Sequence, residues 1–150
     1  VMSEGRIRQI GKPSEIYDRP KDAFTAEFIG LANHLPGKIT GERTVTLASQ
    51  QELEIDGSTA VTIGAEILVS IRPHNIKIRK SAGEGRGARN EINGVVEKVS
   101  YLGDRVDYRI VIGDKALRVQ TEPGEVYTEG TKVSVTLPPE KISVISANAR

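Results

Sequence analysis

His34 and His74 are the only imidazoles in this 150-residue chain, and it has no cysteine. Two histidines so far apart are no ligand pair by spacing, and without thiolates neither a zinc cluster nor a disulfide can be drawn. No serine, histidine and acid set for nucleophilic catalysis assembles from them. A phosphate-cradling loop needs two glycines flanking four residues, then Lys and Ser or Thr, so that backbone amides and one ammonium converge on the phosphates. Gly11-Lys12 and Gly37-Lys38 lack that spacing. The run IVIGD, residues 110–114, places an Asp after apolar residues as a metal-binding Asp would stand, but Lys115 follows where a catalytic Glu is required. It reads as a surface turn after a strand. GEGRG, residues 83–87, neither follows a strand and opens a helix nor carries a phosphate-loop spacing, and reads as a mobile connector. No catalytic residue and no metal ligand is assigned.

What remains is recognition by turns. In Arg72-Pro73-His74-Asn75 the proline ends a strand. A second copy of the pattern, described below, has Pro138 where Arg72 stands, so the turn does not require the arginine, which is left for a contact. Tyr101-Leu102-Gly103 leads from a strand end into Asp104-Arg105, either as a plain turn or as a contact at a barrel mouth. Arg72, His74, Asn75, Tyr101, Leu102 and Gly103 are therefore the candidate regulatory or interface contacts. Phe24 and Phe28, the only phenylalanines, lie four apart on one predicted helix face with Ile29 beside them. These three are candidate contacts to another domain or a second copy.

The elements that must position these residues can be read from pattern. Lys plus Arg number 21 against 20 for Asp plus Glu, and no long apolar window exists, which argues against a polyanion binder and a membrane span. No charged-then-apolar leader is seen, so a soluble, cytoplasmic chain is expected. VMSEGRIRQIG predicts a short hairpin turning at Glu4-Gly5. Pro13 suits a first helical position, with Pro20 ending that helix. A second helix runs from about Asp22 to Ile29, closed by Gly30 in a left-handed cap. From Pro36 onward apolar and polar residues alternate at period two, an all-β signature interrupted at residues 81–91.

The β region repeats itself. GAEILVSIRPHNIKI, residues 64–78, aligns with GTKVSVTLPPEKISV, residues 130–144, matching Gly64 with Gly130, Val69 with Val135, Pro73 with Pro139 and Ile76 with Ile142 at a constant offset of 66. Each half opens on a glycine leading a strand, Gly37 and Gly94. The fold class predicted is mainly β: two tandem OB-like barrel units, at residues 34–80 and 92–150, joined by a flexible linker at 81–91 and preceded by a hairpin and two short helices at 1–33. In such units Val69, Ile71, Val135 and Leu137 should face inward, with Ser70 and Thr136 in solvent.

The order VMSEGRIRQIGKPSEIYDRPKDAFTAEFIGLANHLPG, then VSIRPHNIKI, then GVVEKVSYLGDRVDYRI resembles the C-terminal part of ABC-importer ATPase subunits serving polyamine, ferric-iron, sugar and phosphonate importers. The resemblance covers essentially the whole chain. It implies that residues 1–33 are the tail of a nucleotide-binding domain and that the remainder is a TOBE regulatory region of OB-like barrels. It further implies a second copy of the subunit and membrane permease subunits as partners, at the inner face of the cell membrane. ATP and Mg would be held by a nucleotide-binding domain outside this chain; no cofactor is assigned within it, and no hydrolysis of ATP is expected from it. Two positions depart from the family's usual pattern: Lys12 replaces a capping Thr or Ser, and His74 replaces a Glu after Arg-Pro.

Three function classes compete: a regulatory and dimerising module, a small-ligand sensor for oxyanions or sugars using a basic pair such as Arg72 with Lys77 or Arg79, and a single-strand nucleic-acid binder. The last is disfavoured by four tyrosines, no tryptophan and a net charge of +1. The transported solute is read as polyamine only by analogy with the family.

Overall fold

The computed structural model describes residues 1–57, 61–81, 89–124 and 126–147, with the side chains of 27–29 excepted. Strands β1 (Met2–Ser3) and β2 (Arg6–Ile7) pair antiparallel through Glu4-Gly5. Both turn residues have positive φ, 51° and 74°, the combination that matches a two-residue turn to strand twist. Helix α1 (Pro13–Asp18) begins at the predicted proline. Lys12 offers no acceptor there, and Glu15 reaches back instead, its carboxylate 3.4 Å from the Lys12 amide. Helix α2 (Ala23–Ile29) is capped by Asp22, which accepts from the Thr25 amide at 2.7 Å. The left-handed cap predicted at Gly30 does not form: its φ is 167°, extended backbone, and its amide bonds Ala26 O at 3.3 Å. The turn between the helices is held by Gln9, whose amide donates to Arg19 O at 3.1 Å and accepts from the Lys21 amide at 2.8 Å. A buried side chain with both polar atoms paired replaces the backbone bonds that Pro20 interrupts.

The remaining chain forms two five-stranded antiparallel sheets in two compact units. The first unit contains β3 (Asn33–Gly41), β4 (Thr44–Leu47), β5 (Glu52–Glu54), β6 (Glu66–Ile71) and a strand from the far end of the chain, Ser143–Ser146. The second contains β7 (Lys77–Lys80), β8 (Glu91–Tyr101), β9 (Val106–Ile112), β10 (Lys115–Thr121) and β11 (Lys132–Thr136). With Ser143–Ser146 as β12, the orders are β12-β6-β3-β4-β5 and β10-β9-β8-β11-β7.

The expected partition at 34–80 and 92–150 is therefore corrected. The compact units are residues 1–71 with 140–150, and residues 72–139. Each copy of the repeat gives its last strand to the other copy's sheet: Val144 pairs with Val69, and Ile78 pairs with Val135. By the 66-residue offset these are the same pairing made twice, so the exchange preserves every register. Ladder bonds are made by backbone atoms, and the repeat carries no information about which copy supplies them.

The repeat holds at atomic detail. Gly64 and Gly130 have φ of 92° and 88°, and their amides donate to Ile39 O and Val96 O, each at 2.8 Å. Gly37 and Gly94 lie where a neighbouring strand crosses closely; a Cβ on Gly94 would stand 2.8 Å from Val111 O, and one on Gly37 3.0 Å from Thr46 O.

Val69, Ile71, Val135 and Leu137 are buried as predicted. Ser70 is not in solvent as expected: it is only 3% exposed, and Ser134 on β11 only 2%. Alternation assigns a residue to a face, but β6 and β11 lie inside their sheets and both faces are covered at these positions. Ser134 resolves its burial by a hydroxyl bond to Asn93 Oδ1 at 3.0 Å.

Candidate functional site

The predicted contact residues fall into three places. Arg72 follows β6 and caps the start of a short 3-10 turn at Pro73–Asn75. It is buried, 5% exposed, and so does not present the surface cation that the sequence left available. The basic pair proposed with Arg79 is also absent, since Arg79 is bound to Glu91. His74 is exposed and Asn75 half-buried in the turn, where Asn75 donates its amide to Arg72 O at 3.0 Å.

Tyr101, Leu102 and Gly103 form the tip of the β8–β9 hairpin. Gly103 carries φ 86°, and the Leu102 amide bonds Arg105 O at 2.9 Å. Tyr101 and Leu102 are 70% and 45% exposed. Tyr101 therefore does not lie on a barrel wall. In the first unit the corresponding hairpin turns just beyond its bulge at Ile39–Gly41, whereas β8 and β9 continue through Tyr101 and Val106 past the bulge at Val96–Lys98. Strand β10 accompanies the extension, with Thr121 paired to Val106 at its base.

Phe24 is half-buried under the Arg8 guanidinium, 5.3 Å from the ring centroid, and Arg8 also lies 3.6 Å from Asp22. The hairpin thus covers part of the helix face that the sequence left open. The side chains of Phe28 and Ile29 lie outside the described residues.

Two concavities were not anticipated. One, about 520 Å³ in the first unit, is lined by Lys38, Thr40, Thr46, Gln50 and Glu66, with the two threonine hydroxyls bonded to each other at 3.0 Å. The other is an open groove of about 820 Å³ in the second unit. Its floor is Ile76 and Ile78; Lys77, Arg105 and His74 bring cationic or titratable groups, and Gln120, Thr121 and Glu122 stand on the facing strand end. Thr121 Oγ1 is buried there with no hydrogen-bond partner among the described residues. The Pro73–Asn75 turn packs on β10 and positions one wall. Sequence reasoning reached His74 but missed the facing wall, because only the exchanged strand β7 brings it opposite β10.

The described lining of the groove offers charged and hydrogen-bonding groups over an apolar floor. Among the described residues no group of three His, Asp or Glu could hold a metal, and no helix is long and apolar enough to cross a membrane.

A family model described as the TOBE domain matches residues 69–145. Among curated proteins, the spermidine/putrescine import ATP-binding protein PotA of Ruegeria pomeroyi is 33% identical over 97% of this chain and 40% of its own length. PotA of Pseudomonas fluorescens is 31% identical over 76% of this chain and 30% of its own. The sulfate/thiosulfate import ATP-binding protein CysA of Burkholderia mallei is 31% identical over 64% and 26%. The chain spans between about a quarter and two fifths of these relatives. Among solved structures, the cytoplasmic molybdate-binding protein ModG superposes with a TM-score of 0.65 over 75% of this chain and 94% of ModG, at 12% identity. That likeness is one of fold.

Proposed function

Since this chain belongs to the TOBE-domain family, we propose that it serves as the regulatory and dimerising C-terminal region of an ABC importer's ATP-binding subunit, non-catalytic by itself. The observation that carries the reading is the alignment of 97% of the chain with under half of an import ATP-binding protein. On this reading residues 1–33 are the end of a nucleotide-binding domain. That end is fastened to the first unit by the Ser143 hydroxyl on Asp18 O at 3.0 Å and by the Arg19–Asp56 ion pair at 3.1 Å. Partners are a second copy of the subunit and the permease subunits at the inner face of the membrane, with ATP and Mg bound by the nucleotide-binding domain. The transported solute is proposed to be a polyamine, after the names of the PotA relatives.

A chimera tests the role. The matching C-terminal segment of the Ruegeria pomeroyi relative is replaced by this chain, and ATP-dependent spermidine uptake is measured. Retained uptake supports the assignment; loss of uptake with the chimera folded and abundant overturns it. The isolated chain is expected to show no saturable ATP binding in calorimetry, because it lacks the phosphate-loop spacing. A second reading, a sensor of small oxyanions, is favoured only by Lys77 and Arg105 in the groove. A thermal shift with molybdate or sulfate that vanishes in Lys77→Glu would decide for it.

A further inference from the structure

The two units carry equivalent grooves, and among the described residues only that of the first unit is filled. Lys77 of the second unit corresponds to Ser143 of the first by the 66-residue offset. On the facing strand, Leu117 stands opposite Ile110 as Leu53 stands opposite Val45, so Gln120, three residues on, corresponds to Asp56. In the first unit both positions are taken by the end of α1. Ser143 donates its hydroxyl to Asp18 O at 3.0 Å, and Asp56 holds Arg19 at 3.1 Å. In the second unit Lys77 and Gln120 line an open groove, and the Thr121 hydroxyl beside them has no partner among the described residues.

We propose that the groove of the second unit is a docking site for the C-terminal end of a short acidic helix on another polypeptide, seated as α1 is seated in the first unit. The substitutions between the copies specify the chemistry. A hydroxyl that meets a helix carbonyl is replaced by the Lys77 ammonium, and Arg105 stands in the same groove. Cations are what the unsatisfied carbonyls and negative dipole end of a helix attract. Asp56, which holds an arginine in the first unit, becomes neutral Gln120, which removes the negative charge that pairs with a basic residue and adds an amide donor for a carboxylate. Among the described lining residues Glu122 is the only acid, against Lys77 and Arg105, so the groove favours an acidic segment. Ile76 and Ile78 offer the apolar floor on which a helix end rests. The site does not depend on the importer assignment.

The test is an NMR titration of the ¹⁵N-labelled chain with an alanine-based helical peptide of about 16 residues, long enough to hold helix in water, ending in Ile-Tyr-Asp-Glu. Expected are amide shifts confined to 74–78 and 120–122 and a dissociation constant on the order of 1 mM or tighter. Weakening of about tenfold is expected in Lys77→Glu. Both Lys77 and Arg105 are exposed, and Arg105→Glu serves as a second variant should the first fail to fold. A peptide ending in Ile-Tyr-Lys-Arg should leave these amides unmoved. The proposal is overturned by absence of shifts at the groove, by equal binding of the basic peptide, or by unchanged affinity in folded charge variants. It is equally overturned if sulfate alone, at the same concentration and ionic strength, shifts the same amides as strongly, which would make the groove a small-anion site.

Discussion

The Asn90 side chain donates to the Leu137 carbonyl at 2.8 Å, tying the start of β8 to the residue that follows β11. Its counterpart in the first unit is Asn33, which reaches Ile71 O at 3.4 Å. Both asparagines are buried, and each bond closes the end of a strand just before the proline turn that sends the chain to the other sheet. Removing the donor from a buried carbonyl costs about 1–3 kcal/mol. Asn90→Ala is therefore expected to lower stability by that amount in urea unfolding, and Asn33→Ala by less, because its bond is longer and weaker. Equal losses would show that the two clamps do not differ as their lengths imply.

Gly94 is expected to be irreplaceable where Gly124 is not. A Cβ at Gly94 meets the Ile110 methyl at 2.7 Å and Val111 O at 2.8 Å, whereas one at Gly124 meets nothing within 4 Å. Overpacking of this kind costs about 1–3 kcal/mol, more when backbone is the obstacle. Thermal melts of Gly94→Ala and Gly124→Ala should separate clearly, with Gly124→Ala near the unsubstituted chain. Coincident melts would remove close strand crossing as the reason for the glycine.

Val135→Asp should unfold the second unit, since Val135 has no exposure and an unpaired buried charge costs several kcal/mol, comparable to the stability of a small domain. Ser70→Asp is now expected to be damaging as well, because Ser70 is buried despite its polar type. Circular dichroism melts of both variants check this. A fully tolerated aspartate at position 70 would place that face of β6 in water.

Arg19→Ala should loosen the N-terminal segment without unfolding the sheets. The Arg19 pair with Asp56 and the Ser143 bond to Asp18 O are polar fastenings of α1 to the first unit. The ion pair is largely exposed, so it is worth only about 0.5 kcal/mol. Arg19→Ala combined with Ser143→Ala should increase hydrogen exchange over residues 13–19, with little change in β8 and β9. Unchanged exchange in α1 would mean that these two bonds do not hold it.

What was legible in the sequence was set by local chemistry. Glu4-Gly5 announced a hairpin turn, Asp22 the approximate start of the second helix, Gly64 and Gly130 equivalent positions in two copies, and Val69 and Val135 a shared inward phase. Each follows from steric limits or period-two geometry within a few residues. Gly30 failed as a left-handed cap because the chain leaves α2 directly into extended backbone leading to β3, a demand made from outside the helix.

Tertiary structure alone decided the destinations. Whether β7 returns to its own copy or crosses to the other is invisible in a repeat, because either edge offers the same backbone donors and acceptors at the same register. From that crossing came the true unit boundaries and the facing of Lys77 with Gln120 across a groove. Burial of Ser70 and Arg72 was likewise hidden, since alternation names the face of a strand but not what lies over it. The amino-acid sequence thus determined the β character, the repeat and the absence of a phosphate loop, all carried by neighbours in the chain. The pairing of distant strands, and the binding surface that it creates, depended on contacts between residues too far apart in sequence for any local pattern to record.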